Sequence, residues 1–142
     1  MEGDTDGVEV WGNLSVREWW RVSAGANWFH KDLRLVPGTR DIFGVSFAGN
    51  DPSYQWSVSS DADLPRGLTF DVSLREVASL ANPAVDSYLE AAARLGWQAT
   101  KTLNVSVEGR NLLHAHHLEF VNPSIKPSEV PRSFTLSAHW TP

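Results

Sequence analysis

Three of the chain's five histidines, His114, His116 and His117, crowd into one short polar stretch with Glu119 just behind them. Imidazole is the commonest transition-metal ligand, so metal binding is the first chemistry these residues bring up. Their spacing argues against it. His116 and His117 are adjacent and in an extended chain point to opposite sides, and no Asp or Cys stands nearby to complete a ligand set. A solvated loop accounts for the cluster, and neither a metal nor any other cofactor is expected.

Charged residues are the next candidates. Glu108 and Arg110 share one face of an extended chain, as do Asp71 and Arg75. Paired carboxylates serve acid–base catalysis, but here opposite charges are interleaved, which reads as a hydrated wall. Ser15 and Ser73 lack the strand-to-helix elbow that activates a serine. These residues describe a binding or transport protein and not an enzyme.

Composition narrows the classes further. The chain has 142 residues, enough for one domain, a net charge of −5, and Lys and Arg that are scattered and not clustered. Nucleic acid is therefore not an expected partner. There is no cysteine, so disulfides and thiolate metal sites are out. The acidic start, residues 1–7, is not a secretory signal. No run approaches the ~18–20 apolar residues of a membrane helix, a test that barrel strands escape. Seven Trp and six Phe stand against one Met, and Trp favours places with one apolar and one wet end.

The elements that would position these residues are strands. Val8, Val10, Gly12, Leu14 and Val16 alternate with polar neighbours; Trp20, Val22, Ala24, Ala26 and Trp28 repeat the pattern after a tight connection at Glu18-Trp19. Tyr54 to Val58 restarts it, and a turn at 61–67 leads to Leu68, Phe70, Val72 and Leu74. The segment 88–97 is rich in helix formers, yet Leu89, Ala91, Ala93, Leu95 and Trp97 keep the period of a strand. Leu103 to Glu108 and the segment 133–140 complete about seven strands, with 36–53 and 113–127 as long loops. The expected fold is all-β, an antiparallel up-and-down meander.

Such a sheet has two physical solutions. A small soluble antiparallel β-barrel or sandwich would turn its apolar face inward and bind an apolar ligand or a protein partner; a membrane barrel would turn it to lipid. Three features favour lipid. Gly12, Ala24, Ala26, Ala91 and Ala93 fill a compact core poorly, and Trp20, Trp28, Trp97 and Trp140 stand near the ends of the apolar face, as interfacial aromatics do. The opposite face carries Glu9, Arg17, Arg21, Asp71, Arg75, Glu90, Arg94, Glu108 and Arg110, in mixed sign, as a water-filled lumen accommodates.

Asn111-Leu112-Leu113, His117, Glu119-Phe120 and Glu129-Val130-Pro131-Arg132-Ser133, followed by a closing alternating strand, carry a resemblance. The stretch 103–140 resembles the C-terminal end of TonB-dependent outer-membrane receptors, in the branch similar to siderophore and colicin receptors. The resemblance implies a transmembrane barrel of about 22 strands around a plug, importing iron-siderophore or a similar nutrient with energy delivered through TonB. Residues 1–142 would supply about the last seven strands, one partial domain without the plug. The implied partners are outer-membrane lipid, a plug domain, TonB and an iron-chelate ligand, and the implied location is the Gram-negative outer membrane. Long loops on a rigid barrel carry recognition, so Arg34, Arg40, Phe43 and Phe47, with His116 and His117, are the expected ligand contacts. Two positions depart from the pattern: His114 stands where an Asp is usual, and the chain ends Trp140-Thr141-Pro142 and not on an aromatic residue.

Overall fold

The computed structural model of the chain describes residues 1–38, 40, 50–119, 121 and 129–142. Its strands are β1 (Glu2–Arg17), β2 (Trp20–Arg34), β3 (Tyr54–Leu64), β4 (Leu68–Val77), β5 (Leu80–Ala81), β6 (Ala84–Val85), β7 (Tyr88–Gln98), β8 (Leu103–Arg110), β9 (His116–Leu118), β10 (Glu129–Pro131) and β11 (Ser133–Trp140). Seven of them form one antiparallel sheet in the order β1-β2-β3-β4-β7-β8-β11. Two small ribbons, β5 with β6 and β9 with β10, decorate the loops. The meander expected from the alternation is therefore the fold, and the Ala-rich segment 88–97 lies between β4 and β8 as a central strand. Pairing on both sides outweighs the few tenths of a kcal/mol per residue by which Ala, Leu and Glu prefer helix.

All the short connections lie at one end of the sheet. Between β3 and β4 a 3-10 turn at Pro65–Gly67 reverses the chain, with Arg66 at φ 66° and Gly67 at φ 73°. Glycine is required at 67: a β-carbon there would stand 3.1 Å from that of Gln98, in a left-handed backbone that side chains resist. Between β7 and β8 the Thr100 hydroxyl accepts from the backbone N–H of Thr102 at 3.2 Å and of Leu103 at 3.0 Å, fixing the turn through a side chain.

Three local expectations change. β1 and β2 run on to Glu2 and Arg34, well beyond the apolar alternation, because their polar ends continue to pair, Glu2 opposite Arg34. The register of β1 and β2 shifts between Ser15 and Arg17. Val16 is the extra residue of a bulge, and Arg17 lies opposite Trp20, so the alternation that would carry Arg17 to the charged face is broken one step before it. The stretch after Leu113 is not wholly loop, since His116–Leu118 pairs with Glu129–Pro131.

The sheet is a single layer. Its buried apolar side chains, Val77, Ala78, Val85, Tyr88 and Ala91, gather toward the end with the long loops. Elsewhere the large apolar residues of one face are exposed, from Leu74 at 36% to Leu136 at 77%. A soluble protein of this size covers such a face; this sheet presents it.

Candidate functional site

Register decides which side chains meet across strands. On the charged face Arg21, Asp61, Asp71, Arg94 and Glu108 stand opposite one another in a single row over β2, β3, β4, β7 and β8. Arg94 donates to Asp71 at 3.1 Å and Arg21 to Asp63 at 2.9 Å, while Arg110 pairs with Glu108 along its own strand. Glu90 lies directly opposite Arg75. Of the charged residues assigned to this face from the sequence, Glu9, Arg21, Asp71, Arg75, Glu90, Arg94, Glu108 and Arg110 all keep that parity; Arg17 does not.

The loop end of the same face carries a tighter cluster. Tyr88 and His117 stack with ring centres 4.3 Å apart and planes 24° from parallel. The Tyr88 hydroxyl accepts from Arg75 Nη2 at 3.1 Å and donates to Glu119 Oε1 at 3.3 Å. His117 Nε2 lies 3.5 Å from the same carboxylate oxygen. The His117 side chain is only 7% exposed, so its placement in a solvated loop is corrected: the hairpin of β9 and β10 folds the ring down onto β7. His116 points the other way, 60% exposed and 3.7 Å from Glu129, as the parity of adjacent residues demands. Among the described residues no group of three or more His, Asp or Glu converges to hold a metal.

Asn111 anchors this fold-back. It is fully buried, at φ 52°, and its Nδ2 donates to the Val130 carbonyl at 2.8 Å. Asn tolerates the left-handed region better than most residues. The next residue, Leu112, donates its N–H to the Ala91 carbonyl at 2.9 Å, and Arg132 donates its own N–H to Ala115 at 2.9 Å and its Nε to the Asn111 carbonyl at 3.4 Å. Asn111, Tyr88 and Arg132 thereby tie the last long connection to the sheet. Arg132 thus fixes the entry to β11, as its place after Pro131 implies.

On the apolar face, Trp20 and Trp97 mark the short-turn end with Trp140, and Trp28, paired with Tyr54, marks the other. The eight residue-to-residue steps from Trp20 to Trp28 span about 26 Å at ~3.3 Å each, or roughly 20 Å along a barrel axis at ~40° tilt. That is close to the ~25 Å apolar band of an outer-membrane barrel. Glu76 stands on this face at the loop end, its two oxygens held by Trp56 Nε1 at 2.7 Å and the Tyr54 hydroxyl at 3.1 Å. Sequence reading passed over this carboxylate, and it passed over Trp11, which lies on the charged face and is 76% exposed. Parity gives a usable signal for both: a Glu in an apolar register and a Trp in a polar one.

Of the loop residues expected to contact a ligand, Phe43 and Phe47 lie outside the described residues, as does Phe120. Arg40 is exposed, and Arg34, at the end of β2, pairs with Glu2 at 3.2 Å.

A single antiparallel layer, apolar with aromatic borders on one face and charged on the other, is the fold of the wall of an outer-membrane receptor barrel. Among solved structures, the chain matches the siderophore receptor PiuA from Acinetobacter baumannii with a TM-score of 0.77 and 19% identity, over 97% of this chain and 22% of that one. It matches the closed form of the ferric-catecholate import receptor Fiu from E. coli K12 with a TM-score of 0.75 and 17% identity, over 97% of this chain and 21% of that one. The chain thus spans about a fifth of the length of these receptors. No protein-family model and no curated protein matches the sequence.

Proposed function

We propose that residues 1–142 are wall strands of a TonB-dependent outer-membrane receptor, a partial domain of a barrel that takes up an iron chelate or a similar scarce nutrient. The single observation that carries the reading is the exposed apolar face: Val8, Leu14, Phe134 and Leu136 are each more than 60% exposed on a sheet whose other face is laced with ion pairs. In a bilayer that face meets acyl chains and the opposite face lines the lumen.

The two outer strands support the same reading. β1 and β11 are the edges of the sheet, and an unpaired edge in lipid costs several kcal/mol per backbone group. In a bilayer both must pair with further strands, which makes the sheet part of a closed barrel. The proposed partners are therefore outer-membrane lipid, the remaining strands, a plug inside the lumen and TonB below it. Ligand contact falls to Arg34, Arg40, Phe43, Phe47 and His116 on the long-loop side. His117 is withdrawn from that set, because its ring is stacked under the loop.

The test is fractionation of the expressing cells. The protein is expected in the outer-membrane fraction, resistant to alkaline carbonate, with a gel mobility that changes on boiling. A monodisperse folded protein in plain buffer without detergent overturns the proposal. Loss of growth on a ferric chelate after deletion of the gene, with the chelate identified by screening, tests the uptake assignment.

A further inference from the structure

Buried polar side chains of a folded chain are hydrogen-bonded with few exceptions, and each exception asks for a physical reason. Among the described residues three buried side-chain atoms make no hydrogen bond, Oδ1 of Asn111 and both ring nitrogens of His117. All three lie in the last long connection, between β8 and β11. Asn111 is fully buried and the His117 side chain is 7% exposed, so their enclosure is made by this chain's own residues.

His117 is covered by rings and not by partners. Tyr88 lies over its face at 4.3 Å, and His114 approaches edge-on with ring centres 6.4 Å apart. Glu119 Oε1 stands 3.5 Å from Nε2 without accepting a hydrogen bond from it, because that oxygen serves the Tyr88 hydroxyl, which Arg75 holds from the sheet. The ring contact draws the β9–β10 ribbon onto Tyr88, while two nitrogens stripped of water oppose it, each at the desolvation cost of an unmade hydrogen bond. A phenylalanine at 117 would stack on Tyr88 without that cost. The closed ribbon is therefore held less firmly than an apolar ring would hold it, and lifting it returns both nitrogens to water. The two ends of the connection are meanwhile joined to each other: Arg132 Nε donates to the Asn111 carbonyl at 3.4 Å and Asn111 Nδ2 to the Val130 carbonyl at 2.8 Å. The ribbon can lift about that joint as one piece.

We infer that β9–β10 is a strap poised between a closed and an open position, hinged where Asn111 meets Arg132 and latched by His117 on Tyr88. Closed, it leaves Tyr88 8% exposed; open, it uncovers Tyr88 and, behind the hydroxyl, Arg75. Opening of this kind belongs to the low end of local stability, where loops that move in function are found. The strap goes beyond the receptor reading and stands without it, since it needs only the sheet and the last connection. In a receptor it covers the wall at the long-loop end of the barrel.

The experiment is hydrogen exchange of the backbone amides of 116–118, 129 and 130 in the detergent-extracted protein, at one fixed pH. His117→Phe keeps a ring on Tyr88 and removes the nitrogens, and exchange is expected to slow about tenfold. His117→Ala removes both, and exchange is expected to quicken about tenfold. His117→Leu is nearer imidazole in volume and guards against overpacking by the larger ring; it too should exchange more slowly than wild type. Nitration by tetranitromethane, read by mass spectrometry at Tyr88 with Tyr54, the only other tyrosine, as the internal reference, should follow the same order. Slower exchange in either apolar variant sustains the poised strap, and slower nitration alongside it sustains the uncovering of Tyr88. Exchange as fast as wild type or faster in both apolar variants overturns the strap, and nitration that does not follow exchange overturns the uncovering. Carbonate resistance of the same preparation reports on the receptor reading separately, so either can fail without the other.

Discussion

Tyr88 of β7 and His117 of β9 stack face to face at 4.3 Å although they are separated by a strand, a turn and a second strand. The contact joins the last long loop to the sheet wall, and the Tyr88 hydroxyl extends it to Arg75 and Glu119. Tyr88→Ala is expected to free the β9–β10 hairpin, with a loss of about 1–3 kcal/mol in local opening free energy from the lost stack and hydrogen bonds. Hydrogen exchange over 114–119 and 129–131 reads the effect. Tyr88→Phe keeps the stack and should show the smaller part of it; equal exchange in all three proteins rules out the clasp.

Asn111 predicts a graded series. Its replacement by Ala removes the Nδ2 bond to Val130 and places a poorly suited residue at φ 52°, for an expected cost of about 1–3 kcal/mol. Asn111→Gly restores the backbone freedom and loses only the bond, so it should fall between the two. Thermal unfolding in detergent orders the three proteins, and a glycine variant less stable than the alanine one contradicts the backbone account.

Glu76 stands on the apolar face with both its oxygens held, by Trp56 and by Tyr54. Glu76→Leu leaves two donors in an apolar setting without an acceptor, each costing about 1–3 kcal/mol, whereas Glu76→Gln keeps a carbonyl oxygen for one of them. The leucine variant is therefore expected to be the less stable, and its Trp56 emission should shift. A leucine variant as stable as wild type shows that lipid headgroups or water satisfy the donors.

Val72 and Ser73 test the faces directly, being neighbours in β4 with opposite parity: Val72 pairs with Ser60 and Ala93, Ser73 with Ser59 and Ala92. Val72→Arg places a charge in mid-band and is expected to cost about 2–4 kcal/mol of membrane stability. Ser73→Arg points the same charge into the lumen and should be nearly neutral. Urea unfolding in vesicles measures both, and equal effects falsify the assignment of faces.

Much of this molecule is written locally. Leu68, Phe70, Val72 and Leu74 declare a strand and its apolar face without any partner, because the side-chain period of extended chain is fixed by backbone geometry. The same rule carried Glu9, Asp71, Glu90, Arg94 and Glu108 to one surface. Where the rule is interrupted, local reading fails: the bulge at Val16 takes Arg17 out of the charged row, and nothing in the residues around it announces the extra step.

The sequence by itself determined that the chain is an alternating all-β meander with one apolar and one charged face, and through its last forty residues which barrels it resembles. Only the tertiary structure decided which residues meet. His117 is buried because β9 and β10 close over Tyr88, and Arg21, Asp61, Asp71, Arg94 and Glu108 come into one row because five strands, joined by turns of different length, fall into one register. Alternation is a property of a single extended segment. Register depends on turn geometry and on pairing between segments far apart in the chain, and a one-residue slip changes every neighbour it makes.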